Sequence, residues 1–145
     1  VGDCNNVTYS WMTGASLMEM ELAIAWPPEF KPDSLPALSG NGKVEFIEDP
    51  LKAVKDADLI VTDTWLSMHD DQAARARRHN LLRPYQVNAE LMKLASKDAI
   101  FMHCLPAHRE EEVTSEVMDG ANSVVFDEAE NRLHVQKAIM QWCLG

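Results

Sequence analysis

Asp98-Ala99-Ile100-Phe101-Met102-His103-Cys104-Leu105-Pro106 is the stretch on which the reading of this chain turns. Its apolar first half predicts a short buried strand. Proline has no N–H to give a sheet, so pairing stops in His103-Cys104-Leu105-Pro106 and leaves a polarizable thiol at the strand's carboxyl end. In open α/β sheets, ligands bind beyond the carboxyl ends of the strands. A thiol and freed backbone carbonyls at such a point can orient a small polar substrate.

Working outward from that strand, helical and extended segments alternate. Helices are expected over 6–18, from Asp49-Pro50 to about Lys55, and over 70–78, 87–95, 110–118 and 128–144. Pro50 suits a first helical turn and Asn88 suits a cap. Strands are expected over 21–26, 43–47, 59–62, 99–103 and 123–126; residues 30–42 read as a loop with a short helix from Ser34. Strands separated by helices of this length imply a mostly parallel sheet with helices on both faces, a doubly wound, Rossmann-like three-layer α/β domain.

At 145 residues, 46% of them hydrophobic, the chain suits one core. Its net charge of −10 argues against nucleic acid or an anionic membrane as partner. No apolar run approaches the roughly 20 residues of a membrane span, and Cys4, Cys104 and Cys143 are too few and too odd in number for a disulfide framework. Reduced thiols and a cytoplasmic location are expected. Val1-Gly2-Asp3 reads as the end of a strand whose earlier part is absent, so 1–145 is expected to be one domain cut from a longer chain.

Polar clusters fall at the predicted strand ends. Gly2-Asp3-Cys4-Asn5-Asn6 suits a turn into a helix amino terminus, either as a plain cap or as an anion site. Asp63, with Ser67 four positions on, either caps the next turn or accepts from an ammonium. Cys104 is either core packing or an orienting group. His103, Cys104 and His108 fit no closed zinc pattern, so no metal is expected. Arg132, expected in the first turn of the last helix, gains nothing from the dipole there, which leaves a ligand role or a salt bridge with the adjacent glutamates.

These strings, with Pro84-Tyr85-Gln86-Val87-Asn88 and Glu128-Ala129-Glu130-Asn131-Arg132, stand in the order found in ornithine carbamoyltransferases, and the whole chain resembles the carboxyl-terminal, ornithine-binding half of that family. The resemblance implies transfer of a carbamoyl group from carbamoyl phosphate to the δ-amine of ornithine, giving citrulline and phosphate, without a cofactor, in arginine biosynthesis. It implies that Asn6 binds the α-carboxylate, Asp63 and Ser67 take the α-ammonium, and the Met68 backbone helps close the loop. By the same resemblance Cys104 lies near the attacking nitrogen, the Leu105 carbonyl accepts from the carbamoyl NH₂, and Arg132 reaches the carbamoyl oxygen. A trimer built through the amino-terminal domain is implied as well. A stand-alone amino-acid-binding module, or an enzyme for acetylornithine or putrescine, are the alternatives.

Three departures from the family pattern matter. Cys4 stands where Gly is usual, which predicts strain if the position needs φ > 0 and places a second thiol near Cys104, a candidate redox pair. His69 follows Ser67-Met68 where Gly is usual, which predicts a stiffer loop. The Ser-x-Arg-Thr and His-Pro-x-Gln strings that hold the phosphate in the family do not occur in these residues.

Overall fold

The computed structural model describes residues 1–32, 34–66 and 72–145. Helix α1 (Asn6–Leu17) opens on Asn5, whose side chain accepts from the N–H groups of Val7 and Thr8. It buries Met12, Ala15 and Ser16. Strand β1 (Glu21–Ile24) follows and pairs in parallel with β2 (Lys43–Phe46). The connection returns close along the end of α1: a Cβ on Gly42 would stand 2.0 Å from the Ala15 carbonyl oxygen, so only glycine fits. The first strand ends two residues earlier than expected. A 3₁₀ turn over Pro28–Phe30 takes the place of the helix expected from Ser34.

Helix α2 (Pro50–Ala53) is capped by Asp49, with Pro50 in its first turn as expected, but it stops at Ala53 rather than Lys55. Strand β3 (Leu59–Thr62) then pairs in parallel with β4 (Ile100–His103), Thr62 opposite His103. Between them run α3 (Gln72–Leu82), a 3₁₀ turn (Arg83–Tyr85) and α4 (Ala89–Met92), capped by Asn88 through the Leu91 N–H. The expected start of α3 at Asp70 lies outside the described residues. Four short strands, paired in parallel as two two-stranded sheets and separated by long connections, give the parallel α/β order anticipated from the alternation.

Two expectations fail near the carboxyl end. Residues 110–112 are turn, Val113 makes isolated parallel bridges to Val87 and Arg109, and α5 covers only Ser115–Met118. Ser123–Phe126 is not a strand: Ser123 makes one parallel bridge to Phe101, and α6 (Val125–Leu144) has already begun at Val125. Val125 is buried and Phe126 exposed, and the acidic Asp127 and Glu128 then suit a first helical turn.

The two strand pairs meet at residues 1 and 2. The Gly2 N–H donates to the Ala25 carbonyl and the Val1 nitrogen to the Val61 carbonyl, each at 2.9 Å. Behind that rim a cavity of about 790 Å³ lies between β1 and β3, lined in part by Leu22, Ile24, Val54 and Ile60. The main core packs Ile60 and Phe101 against Val54, Val87, Leu91, Val113, Val117, Met118 and Val125. Because side chains alternate along a strand, Thr62 and His103 point to the same buried side as Ile60 and Phe101. Among the described residues no helix is long and apolar enough to cross a membrane.

Phe101 is 0% exposed, whereas Leu133 on α6 is 59% exposed. Phe101→Ala is expected to cost about 3–5 kcal/mol and Leu133→Ala within about 0.5 kcal/mol. Urea denaturation of both variants checks this, and comparable losses would place the core elsewhere.

Candidate active site

Where β3 and β4 end side by side, the next residue of each is one that the sequence singles out as a candidate. Asp63 follows Thr62 and Cys104 follows His103, and the Cys104 Sγ–H donates to Asp63 Oδ1 at 3.2 Å. The same oxygen accepts from the Thr64 N–H at 2.8 Å. Asp63 Oδ2 accepts from Asn5 Nδ2 at 2.7 Å. Asn5 therefore works twice, its oxygen capping α1 and its amide nitrogen holding Asp63. A carboxylate offers about four lone-pair directions, so a further cation can still bind.

A second layer holds this rim in place. Arg78 of α3 donates from Nε to the Trp65 carbonyl and pairs with Asp3 Oδ2 at 2.5 Å, its guanidinium lying over the Phe30 ring. One side chain thus links the segment after β3 to the turn before α1. Trp65 is 1% exposed and packs against Gly2, where an added Cβ would stand 3.2 Å from the indole nitrogen. With φ of +119° as well, any side chain at Gly2 would be both crowded and strained.

Burial is the largest cause that pushes the Cys104 thiol up to about 12; its hydrogen bond to Asp63 and the charges of Asp63 and Glu128 add to it. The sulfur is a neutral donor at ordinary pH. Glu128, in the first turn of α6, is raised by burial and by the Asp63 charge, against a lowering hydrogen bond from the His103 backbone. Its Oε2 is buried and makes no hydrogen bond. The Glu128 carboxyl thus belongs to the same electrostatic cluster as Asp63 and Cys104.

The other anticipated residues are distributed as follows. Asn6 is exposed as the first residue of α1, beside Asn5. Leu105 follows Cys104 with φ of +54° and donates its N–H to His103 Nδ1. Arg132 is exposed on α6, four residues beyond Glu128 and on the same helix face; because α6 begins at Val125, it does not lie in the first turn, and the dipole reason for singling it out lapses. Ser67, Met68 and His69 lie outside the described residues. Cys4 is not at positive φ, so the expected strain is absent; its thiol engages Tyr9 while that of Cys104 engages Asp63, and both cysteines are free. His103, Cys104 and His108 do not form one metal-ligand set: His103 and Cys104 fall with Asp63, His108 with Glu111 and Glu112.

Asn5, Arg78 and Glu128 were not assigned roles from sequence. Asn5 had a usable signal, a cap residue at the same rim, whereas the partners of Arg78 are up to 75 positions away.

With the thiol near 12, on the order of one Cys104 in ten thousand is ionised at pH 8. In site-resolved iodoacetamide alkylation the exposed Cys143 is expected to react first, with Cys104 lagging until strongly alkaline pH. Asp63→Asn removes a charge that opposes thiolate and should speed Cys104. Equal rates at Cys104 and Cys143 at pH 8 would contradict the geometry.

Comparison with known proteins agrees with this arrangement. Residues 1–143 match the family model described as aspartate/ornithine carbamoyltransferase, Asp/Orn binding domain. The ornithine carbamoyltransferase of Ruegeria pomeroyi is 60% identical over 147 residues, covering 99% of this chain and 48% of its own length. That of Paracoccus denitrificans is 59% identical with the same coverage. The solved ornithine carbamoyltransferase from Pyrococcus furiosus superposes with a TM-score of 0.86 at 48% identity, over 96% of this chain and 46% of that one. The chain spans about half the length of the relatives it matches, and it belongs to the aspartate/ornithine carbamoyltransferase family, matching that family's Asp/Orn-binding domain.

Proposed function

We propose that this chain is the ornithine-binding half of a two-domain ornithine carbamoyltransferase, which transfers the carbamoyl group of carbamoyl phosphate to the δ-amine of L-ornithine. The observation that carries the reading is the Asp63 carboxylate, held by Asn5 and Thr64 with the Cys104 thiol 3.2 Å away at the ends of paired parallel strands. The names and lengths of its relatives support the same assignment.

An amine attacks a carbonyl only when unprotonated, so the site must hold it neutral, desolvated and aimed. Asp63, with Ser67, takes the α-ammonium and Asn6 the α-carboxylate, which fixes the far end of the amino acid and limits rotation of the reactive end. The Met68 backbone closes over it. Cys104, a neutral thiol, orients the δ-nitrogen and forms no covalent intermediate. The Leu105 carbonyl accepts from the carbamoyl NH₂, and Arg132 stabilises charge growing on the carbonyl oxygen as the tetrahedral centre forms. The phosphate is held by the other domain, through which the enzyme assembles as a trimer. Arginine biosynthesis in the cytoplasm is the setting proposed for it.

The test is citrulline formation from ornithine and labelled carbamoyl phosphate by the full-length protein carrying this segment. Asp63→Asn is expected to lower kcat/KM for ornithine by about 10²-fold or more, the size of a lost charge-assisted contact together with misalignment. The 145-residue chain alone is expected to form no citrulline. Undiminished turnover by D63N, or robust citrulline from the chain alone, would overturn the reading.

A further inference from the structure

Beneath the catalytic rim lies a second carboxylate to which the proposed mechanism assigns nothing. Glu112 and His103 are both 0% exposed. Glu112 Oε1 lies 3.2 Å from His103 Nε2 and 2.5 Å from the His108 backbone nitrogen. On its other side the His103 ring accepts at Nδ1 from the Leu105 N–H, at 2.9 Å. A nitrogen that accepts carries no proton, so the ring proton sits on Nε2 and is donated to Glu112. Oε2 of Glu112 makes no hydrogen bond and lies 3.8 Å from Nδ1 of the half-exposed His108.

This arrangement closes a loop. Residues 103–108 leave β4, turn through Cys104, Leu105 and Pro106, and return; one carboxylate oxygen grips the loop at both ends, through the His103 ring and the His108 amide. Leu105 has φ of +54°, a conformation that is unfavourable for a β-carbon-bearing residue and persists only when its surroundings enforce it. The bond from Leu105 N–H to His103 is one such enforcement, and it depends on the ring tautomer that Glu112 selects. The base of the grip is itself fixed. The Glu112 carbonyl accepts from the Val87 N–H, and Gln86 Nε2 donates to the carbonyls of Glu110 and Glu111.

We propose that Glu112 is a positioning residue: acting through His103, it sets the direction of the Leu105 carbonyl and the seat of the Cys104 sulfur, and so governs turnover rather than amino-acid binding. The proposal rests on the functional reading above. It makes the length of the side chain, rather than its charge, the decisive property. A glutamine reaches both ends of the loop with its oxygen, and its NH₂ finds His108 Nδ1 as acceptor; an aspartate keeps the charge but is one methylene short.

The experiment compares Glu112→Gln and Glu112→Asp in the full-length protein carrying this segment, with ornithine affinity from calorimetry and kcat from citrulline release. Glu112→Gln is expected to keep kcat within about threefold, and Glu112→Asp to lose about tenfold or more, with ornithine Kd changed less than about twofold in both. Nitrogen-15 spectra of histidine-labelled protein supply a readout independent of activity. His103 should show a protonated Nε2 and a bare Nδ1 in the parent and in the glutamine variant, and mixed tautomers in the aspartate variant. A kcat that survives Glu112→Asp, equal losses in both variants, or a His103 tautomer indifferent to residue 112 would each overturn the proposal. A parent protein that makes no citrulline would defeat the functional reading instead, and the tautomer alone would then decide the role of Glu112.

Discussion

The Asp63 carboxylate is the point at which the rim of this protein is tied together. It accepts from Asn5, from Thr64 and from Cys104, and so joins the start of α1, the end of β3 and the end of β4. None of these contacts is local except that with Thr64. The contact with Cys104 depends on β3 and β4 lying in register, so that the residues after Thr62 and His103 emerge together. Register in turn follows from the buried face, since a slip by one residue would turn Ile60 and Phe101 out of the core. The chemistry of the rim is therefore a consequence of core packing a few residues below it.

Two carboxylates then divide the work at the strand ends. Asp63 faces the open side and retains acceptor capacity for a cation, while Glu112 is fully buried and spends its capacity on the protein itself. A buried carboxylate is costly unless it is well hydrogen-bonded. Here the hydrogen bonds to the His103 ring and the His108 N–H offset that cost, and they hold a loop that contains a leucine at positive φ, next to a neutral thiol. Strain in Leu105 and neutrality in Cys104 are both maintained by the surroundings, not by the residues' own preferences.

What could be read from the chain follows from where each signal resides. Asp49-Pro50 and Asn88 announce helix starts by their own chemistry, and the apolar run before His103-Cys104-Leu105-Pro106 announces β4. Asp63 and Cys104 are legible as members of one rim because both directly follow buried strands; the hydrogen bond between them is not, and Cys4 is the neighbour that the sequence suggests for the thiol. Val124-Val125-Phe126 has the composition of a strand, yet only Ser123 bridges to Phe101 and the helix begins at Val125, since burial of that one valine, not propensity, decides the turn. Arg132 moved out of the first turn for the same reason. Glu112 was read as part of a helix spanning 110–118; its partner His103 is nine residues away, a distance no helical or strand period marks. Asn5 was hidden by its neighbour: adjacent asparagines look alike until the cap assigns one of them inward.

The charge of the chain bears on the division of labour proposed for the whole enzyme. With a net charge of −10, and Asp3, Asp63 and Glu128 gathered at the rim, this surface attracts an ammonium and repels a phosphate. Arg78, the cation nearest the turn before α1, is engaged with Asp3 and the Trp65 carbonyl. A cationic amino acid and an anionic carbamoyl donor make opposite demands on the local potential, and one acidic rim cannot satisfy both at close range. Placing the phosphate grip on a separate domain removes that conflict. On the proposed reading, the two substrates meet only where a neutral amine and a neutral carbamoyl carbon must touch, beside the uncharged sulfur of Cys104 and the backbone carbonyl of Leu105.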